Sequence, residues 1–220
     1  MIPNLSEFLV SRNGSGNGHT PRKFRTIYAD PPWQFQNRTG KMAPEHRRLH
    51  RYRTMTVEEI CALPVTEIAD DPSHLYLWCP NALLAWGLGV MEAWGFNYKT
   101  NLVWYKIRKD GGPDGRGVGF YYRNVTELLL FGVRGSMRTL KPGRHAVNLI
   151  SVRKREHSRK PYEFYTLIER CSPRPYLELF ARHPRTGWNQ WGDEICRGRY
   201  TPKRLVLERV DERQQVLIRL

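Results

Sequence analysis

A short strand pattern, Phe24–Ala29 (FRTIYA), stops against Asp30-Pro31-Pro32-Trp33. Two consecutive prolines remove two backbone donors, so the strand cannot continue in a central ladder and the chain must turn out of its sheet there. Further compact strand runs follow at Leu75–Trp78 (LYLW), Leu102–Tyr105 (LVWY), Glu127–Val133 (ELLLFGV), Ala146–Ile150 and Tyr176–Ala181 (YLELFA). Helical signals lie between them. Thr56 and Glu59 form a capping box that opens a helix through Ala62. Asn81 caps a helix running to about Trp94, with Gly95 as its stop, and Pro161 opens the turn before Tyr162–Arg170. Short apolar strands alternating with helices predict an α/β fold around a mostly parallel sheet. Ligands of such sheets bind outside the carboxyl ends of the strands. That points to Asp30–Trp33, to the segment after Trp78, and to Arg182 onward.

The 220 residues suit one folded unit with appended segments. Residues 1–23, which include the Gly/Ser/Asn-rich stretch Ser11–Lys23, read as a flexible N-terminal segment. Residues 24–196 read as the folded domain and 197–220 as a basic C-terminal extension. Aromatic residues at 12% exclude wholesale disorder. Mean hydropathy is −0.61, and polar residues interrupt every apolar run short of membrane-spanning length. Met1–Val10 lacks a basic start followed by an apolar run, so a secretory signal is not expected and a cytoplasmic location is. Cys61, Cys79, Cys171 and Cys196 have no metal-type spacing, and reduced thiols are expected.

Charge is the informative part of the composition. Thirty-six Lys and Arg oppose 21 Asp and Glu, for a net +15. A field of that sign gathers polyanions, and nucleic acid is the expected partner. Arg38–Arg53, Arg134–Arg144 and Arg153–Lys160 are basic clusters on predicted loops, read as a phosphate-contacting rim. Arg47, Arg48 and Arg116 are the substrate-binding candidates among the loop cations. Gly115–Gly119 lacks the strand–loop–helix context of a nucleotide loop, so Lys109–Tyr122 reads as a mobile gate.

The turn after Phe24–Ala29 carries chemistry. Asp30 offers an acceptor, the Pro31 carbonyl is expected to lack a local donor, and Trp33 offers a flat face. Together they suit a planar ring bearing an exocyclic amine. The lone pair of such an amine is delocalised, and two acceptors on its hydrogens make the nitrogen more electron-rich. It can then attack a methyl on a sulfonium centre, aided by proximity and preorganised charge. Such a transfer calls for no metal.

YADPPW resembles the catalytic tetrapeptide of S-adenosylmethionine-dependent amino-methyltransferases. LYLW, VWYK with its Gly-rich loop, SRKPYEFY at Ser158–Tyr165 and ELFAR…GWNQWGDE at Glu178–Glu194 follow in the order of the MT-A70 family of adenine-N6 methyltransferases. The resemblance covers about Phe24 to Glu194. It implies a Rossmann-like methyltransferase fold with permuted motif order, the tetrapeptide preceding the main cofactor strand Tyr176–Ala181. It implies Asp30, Pro31, Pro32 and Trp33 as the catalytic group, with Asp30 also at the cofactor's methionine end. Ser158, Lys160, Phe180, Arg182, Asp193 and Glu194 would bind S-adenosylmethionine, Lys160 through its carboxylate and the acidic pair through ribose hydroxyls. Trp33 would stack on the base, and Glu127 would sit beside the substrate. A compact prokaryotic or phage-type enzyme acting on DNA is favoured. RNA as substrate, a small-molecule substrate, a non-catalytic binding partner, and a homodimeric or heteromeric assembly stay open. Arg182 as an ordinary surface arginine, and Glu178 as a member of a buried ion pair or of an edge strand, also stay open.

Overall fold

The computed structural model describes Leu5 and residues 23–34, 54–115, 121–154 and 160–196, the last without the side chains of Glu194 and Cys196. Within them β1 (Phe24–Ala29) is joined by β2 (Ala69–Cys79), β3 (Asn97–Ile107), β4 (Thr126–Arg134), β5 (Leu149–Arg153), β6 (Tyr176–Leu179) and β7 (Trp188–Trp191). The sheet runs β5-β3-β4-β2-β1-β6-β7. β1 pairs in parallel with β2 and β6, as do β6 with β7 and β3 with β5. β4 is antiparallel to both of its neighbours, β2 and β3. Six described strands thus share one direction, and the sheet is the mostly parallel Rossmann-like one expected.

From β1 the chain moves to β2 on one side, and much later it returns to β6 on the other. The strand order therefore reverses between β1 and β6, and their carboxyl ends flank a ligand crevice. The permuted order is visible here, because the strand that carries Asp30 comes first in the chain and its neighbour β6 comes late.

Helices cover both faces, so the central strands are buried on both sides. One layer holds Ile27, Ala29, Leu75, Leu77 and Leu177. It is closed by α1 (Val57–Cys61), α2 (Val65–Ile68) and α3 (Leu84–Ala93), through Ile60, Ile68, Val90 and Met91. The other layer holds Tyr28, Tyr76, Trp78 and Leu129, closed by Phe164 and Ile168 of α4 (Tyr162–Cys171). The alternation of Ile27, Tyr28 and Ala29 between layers is the two-residue period of a strand. The capping box forms as expected: Thr56 Oγ1 accepts from Glu59 N at 3.2 Å, and Thr56 N donates to Glu59 Oε2 at 2.9 Å. The chain continues through α5 (Asp193–Cys196).

Several boundaries differ from the sequence expectation. β7 was not expected as a strand; its Trp188 and Trp191 enter opposite layers, on the strand period. β5 starts at Leu149 rather than Ala146, because Ala146 N closes a turn onto Gly143 O at 3.0 Å. β2 and β3 extend beyond LYLW and LVWY through polar residues at their starts. The stretch 6–22, the loop 35–53 and the extension 197–220 lie outside the described residues. Cys61, Cys79 and Cys171 carry free thiols. No helix among the described residues is long and apolar enough to cross a membrane.

α3 lies close on the sheet because Gly87 has no side chain. A Cβ there would stand 2.5 Å from Cys79 Sγ and 3.0 Å from Leu130 Cδ1. Both atoms belong to side chains of central strands in a close-packed layer. Gly87→Ala is therefore expected to lower the unfolding free energy by about 1–3 kcal/mol, read as a lower thermal midpoint with an unchanged far-UV circular dichroism spectrum.

Candidate active site

Asp30 leaves β1 at its carboxyl end, still tied to β6 by Asp30 N donating to Leu179 O at 3.5 Å. The next residues form a tight turn: Trp33 N donates to Pro31 O at 2.9 Å, and Met55 N donates to Pro32 O at 2.9 Å. This corrects the expectation that the Pro31 carbonyl lacks a local donor. It has one, and a carbonyl's second lone pair is what remains for a ligand. Trp33 is corrected as well. Its ring is only 5% exposed, packed in the β1/α1–α3 layer, and its indole N–H donates to Trp78 O at 2.9 Å. It is no open stacking platform; it anchors the turn that presents Asp30.

β4 supplies the second carboxylate. Because β4 runs against its neighbours, Glu127 near its start lies at the same edge as the carboxyl ends of β1, β2 and β3, opposite Trp104 in register. Lys160, just before α4, stands between the two acids, with Nζ 3.0 Å from Asp30 Oδ1 and 3.2 Å from Glu127 Oε2. Lys106 of β3 caps the far side of Glu127, its Nζ 2.5 Å from Oε1. The four groups alternate in sign along one line: Asp30, Lys160, Glu127, Lys106. Aromatic rings back both ammonium groups, Lys160 at 4.9 Å from the Trp78 centroid and Lys106 at 5.0 Å from that of Trp104.

Electrostatics follow from that alternation. Burial pushes the Glu127 carboxyl up, but Lys160 and Lys106 overrule it and hold it down to about 2. Burial opposes the charge on Lys160, and Asp30 and Glu127 more than restore it, so its pKa stands above the ordinary lysine value. For Lys106 burial prevails over the single carboxylate, and its pKa is lowered. A lysine preceding a helix start is unfavourable unless anions meet it. Here the anions are the chain's own.

Across the crevice, β6 is followed by Phe180, which adopts φ +64, a conformation costly for a residue with a Cβ. The Phe180 ring packs on Trp191 at 5.4 Å, and Ala181 N donates to Trp191 O at 2.9 Å. Gly192 is required there, because a Cβ on it would collide with the Ala181 backbone. Arg182 is half-buried after this turn, and Asp193 opens α5 beyond β7. Asp30, Phe180, Arg182 and Asp193 thus follow the adjacent carboxyl ends of β1, β6 and β7. Ser158, Arg47, Arg48 and Arg116, and the side chain of Glu194, lie outside the described residues.

Among the described residues Glu178 is neither in an ion pair nor on an edge strand. It is buried in β6 between β1 and β7, where Tyr165 Oη donates to Oε1 at 2.6 Å and Gln190 Nε2 to Oε2 at 2.7 Å. Burial raises its pKa to about 7 against those two donors, with Asp30 adding to the rise. Sequence reasoning missed Lys106 and Gln190. The signal for Lys106 was a lone cation inside the strand run VWYKI. For Gln190 it was an amide between two tryptophans on a strand period. The rim is also corrected. Arg134 ends the antiparallel strand and so lies at the opposite edge, as does the segment after it, where Leu140 N donates to Cys171 O at 2.8 Å at the end of α4.

A family model described as MT-A70 matches residues 24–194. A type II methyltransferase, M.MunI, from Mycoplasma sp is 31% identical over 79% of this chain and 78% of its own. A probable N(6)-adenosine-methyltransferase MT-A70-like protein from Oryza sativa subsp. japonica is 30% identical over 79% of this chain and 23% of its own. The N(6)-adenosine-methyltransferase catalytic subunit METTL3 of Homo sapiens is 28% identical over 79% of this chain and 28% of its own, so the chain spans about a quarter of these longer relatives.

The pH dependence of the ion cluster is testable. A carboxyl held at about 2 when folded contributes stability above its unfolded value near 4.5, and loses it as pH falls toward 2. Glu127→Gln is expected to destabilise at pH 7, by less than the roughly 3–5 kcal/mol of fully buried pairs because the cluster is partly solvated. The gap from the unsubstituted protein should shrink between pH 5 and pH 2 in denaturant titrations. A gap constant over that range contradicts the assigned ionisation.

Proposed function

The chain belongs to the MT-A70 family, and from that premise we propose that it transfers the methyl group of S-adenosylmethionine to the N6 amine of adenine in DNA. The observation that carries the reading is the Asp30–Lys160–Glu127 array at the β1/β6 crevice. The donor set fits the cofactor. It has an ammonium to offer a carboxylate, a carboxylate to offer an amine, and Asp193 two residues past β7 for ribose hydroxyls. The φ +64 turn at Phe180, closed against Gly192, brings the β6 backbone to the same crevice. When bound, the cofactor supplies an electrophilic methyl on sulfur.

The chain's own residues do the rest. Asp30 and the Pro31 carbonyl accept the two N6–H donors and orient the nitrogen lone pair toward the methyl. The Trp33–Trp78 hydrogen bond holds that turn rigid, so the orientation precedes binding. Lys160 fixes Asp30 through Oδ1, which leaves Oδ2 as the proposed acceptor of the proton that N6 releases. Glu127 holds Lys160 from the other side. Ser158 and Glu194 are proposed as further cofactor contacts, and Arg47, Arg48 and Arg116 as contacts to the substrate. DNA is proposed because the relative matched over 78% of its own length is a type II methyltransferase, whereas those named for adenosine run well beyond the match.

The test is incubation with methyl-labelled S-adenosylmethionine and duplex DNA, single-stranded DNA or RNA, followed by nucleoside analysis. N6-methyladenine from DNA is the expected product; label in RNA alone overturns the choice of polymer, and label in neither overturns the reaction. Asp30→Ala, with Asp30→Asn as the isosteric companion, is expected to lower the rate at least about 100-fold, with a native fold by circular dichroism.

A further inference from the structure

A groove of about 390 Å³ opens beyond the carboxyl ends of β3 and β5, lined by Ile107, Arg108, Lys109, Asp110, Arg153 and Lys154. Four of these six residues are cations and one is an acid. β3 and β5 are parallel neighbours, with Lys106 opposite Val152 and Ile107 opposite Arg153, so the two basic segments leave the sheet side by side. The groove begins one residue past Lys106, whose ammonium is the outer end of the Asp30–Lys160–Glu127–Lys106 line. It therefore adjoins the proposed site for the target amine at the same edge of the sheet.

One of its cations is held in place. Arg108 Nε and Nη2 meet Asp110 Oδ1 and Oδ2 at 3.1 and 2.8 Å. Asp110 Oδ1 also accepts from Gly112 N at 3.1 Å, and Arg108 N donates to Gly112 O at 2.8 Å. The turn fixes the guanidinium in a fork while leaving it exposed. On the other wall, Lys154 Nζ stands 3.8 Å from Asp114 Oδ2, a buried acid that faces it from the β3 side. A fixed guanidinium, a second exposed guanidinium and the two exposed ammonium groups of Lys109 and Lys154 are suited to phosphate oxygens.

We infer that this groove is the track for the phosphodiester backbone flanking the target nucleotide, so that Arg108, Lys109, Arg153 and Lys154 set register and affinity and read no bases. The inference rests on the proposed nucleic-acid reaction and adds the surface that would hold the polymer. It also divides the basic residues by edge. Those after β4, such as Arg138 and Lys141, follow its carboxyl end at the opposite edge of the sheet and have no part in the groove.

The experiment measures binding of labelled duplex DNA, single-stranded DNA and RNA by anisotropy between 50 and 400 mM KCl, roughly the range over which counterion release is read. It compares the unsubstituted protein, Arg153→Ser/Lys154→Ser, and the equal-charge control Arg138→Ser/Lys141→Ser. Cofactor binding is followed by calorimetry in each. The groove variant is expected to lose about 10-fold or more in affinity at low salt and to reduce the slope of log K on log salt by about 1–2. It should keep cofactor affinity, and the control should keep the slope. Equal slopes for groove variant and control, with the unsubstituted protein binding and methylating normally, overturn the groove and leave the proposed function standing. An unsubstituted protein that binds cofactor but no nucleic acid overturns both.

Discussion

The site depends on one ammonium group, Lys160, placed between two carboxylates from strands distant in sequence. A largely buried lysine is tolerated only when paired, since desolvating an ammonium costs several kcal/mol even after relaxation. Lys160 meets that condition only if the end of β1 and the start of β4 share an edge. In an all-parallel sheet Glu127, near the start of β4, would sit at the far edge from Asp30. The antiparallel insertion of β4 between β2 and β3 removes that obstacle. The reversed strand is thus the topological condition for the ion line rather than an irregularity in the sheet.

The aromatic layer below the line gives it its strength. Trp33 donates to Trp78 O, Trp78 donates to Tyr28 Oη at 2.6 Å, and Trp104 donates to Val152 O at 3.0 Å. Each indole is satisfied, so large rings can be buried at the edge of a polar site without orphaned donors. The result is a low-dielectric floor under Lys160 and Lys106, where charge–charge terms are larger than in water. It also converts the Asp30 turn into a braced element. With the Trp33 ring spent on packing, whatever grips the target base comes from residues other than its flat face.

Most of the fold was legible in the sequence, because the strand runs are short, apolar and bounded by breakers. Phe24–Ala29 ends at its prolines, and the Thr56 capping box forms with both of its hydrogen bonds. What was not legible depended on the third dimension. Trp33 carries no mark in its sequence that its ring turns inward. Lys106 reads as one more cation in a chain of net +15 until β3 is placed beside β4. The basic clusters looked equivalent along the chain, and only strand direction separates Arg134 from Arg153. Glu178 shows the same limit: a carboxyl inside a strand pattern suggested an ion pair or an edge, whereas its partners are a phenol and an amide.

Glu127 and Glu178 then show how one residue type takes opposite states on one sheet. Glu127 faces two ammonium groups and stays ionised down to about pH 2. Glu178 is buried, and that burial, with the negative field of Asp30 adding, raises its pKa to about 7 against the two neutral donors that meet it. Its folded form favours the proton, so its contribution to stability is full below about 4.5 and is lost as pH rises through 7. The consequence bears on Asp30. A second full charge on β6, next to Tyr28 in register, would repel the Asp30 carboxylate, and a Glu178 held partly protonated near neutrality weakens that repulsion. Gln190, which braces Glu178, also donates to His183 O at 2.7 Å and accepts from Arg185 N at 2.6 Å. The same amide therefore moderates the charge beside the crevice and shapes the loop after the Phe180 turn, so the electrostatics of the Asp30 side and the geometry of the β6 side are fixed by one buried network.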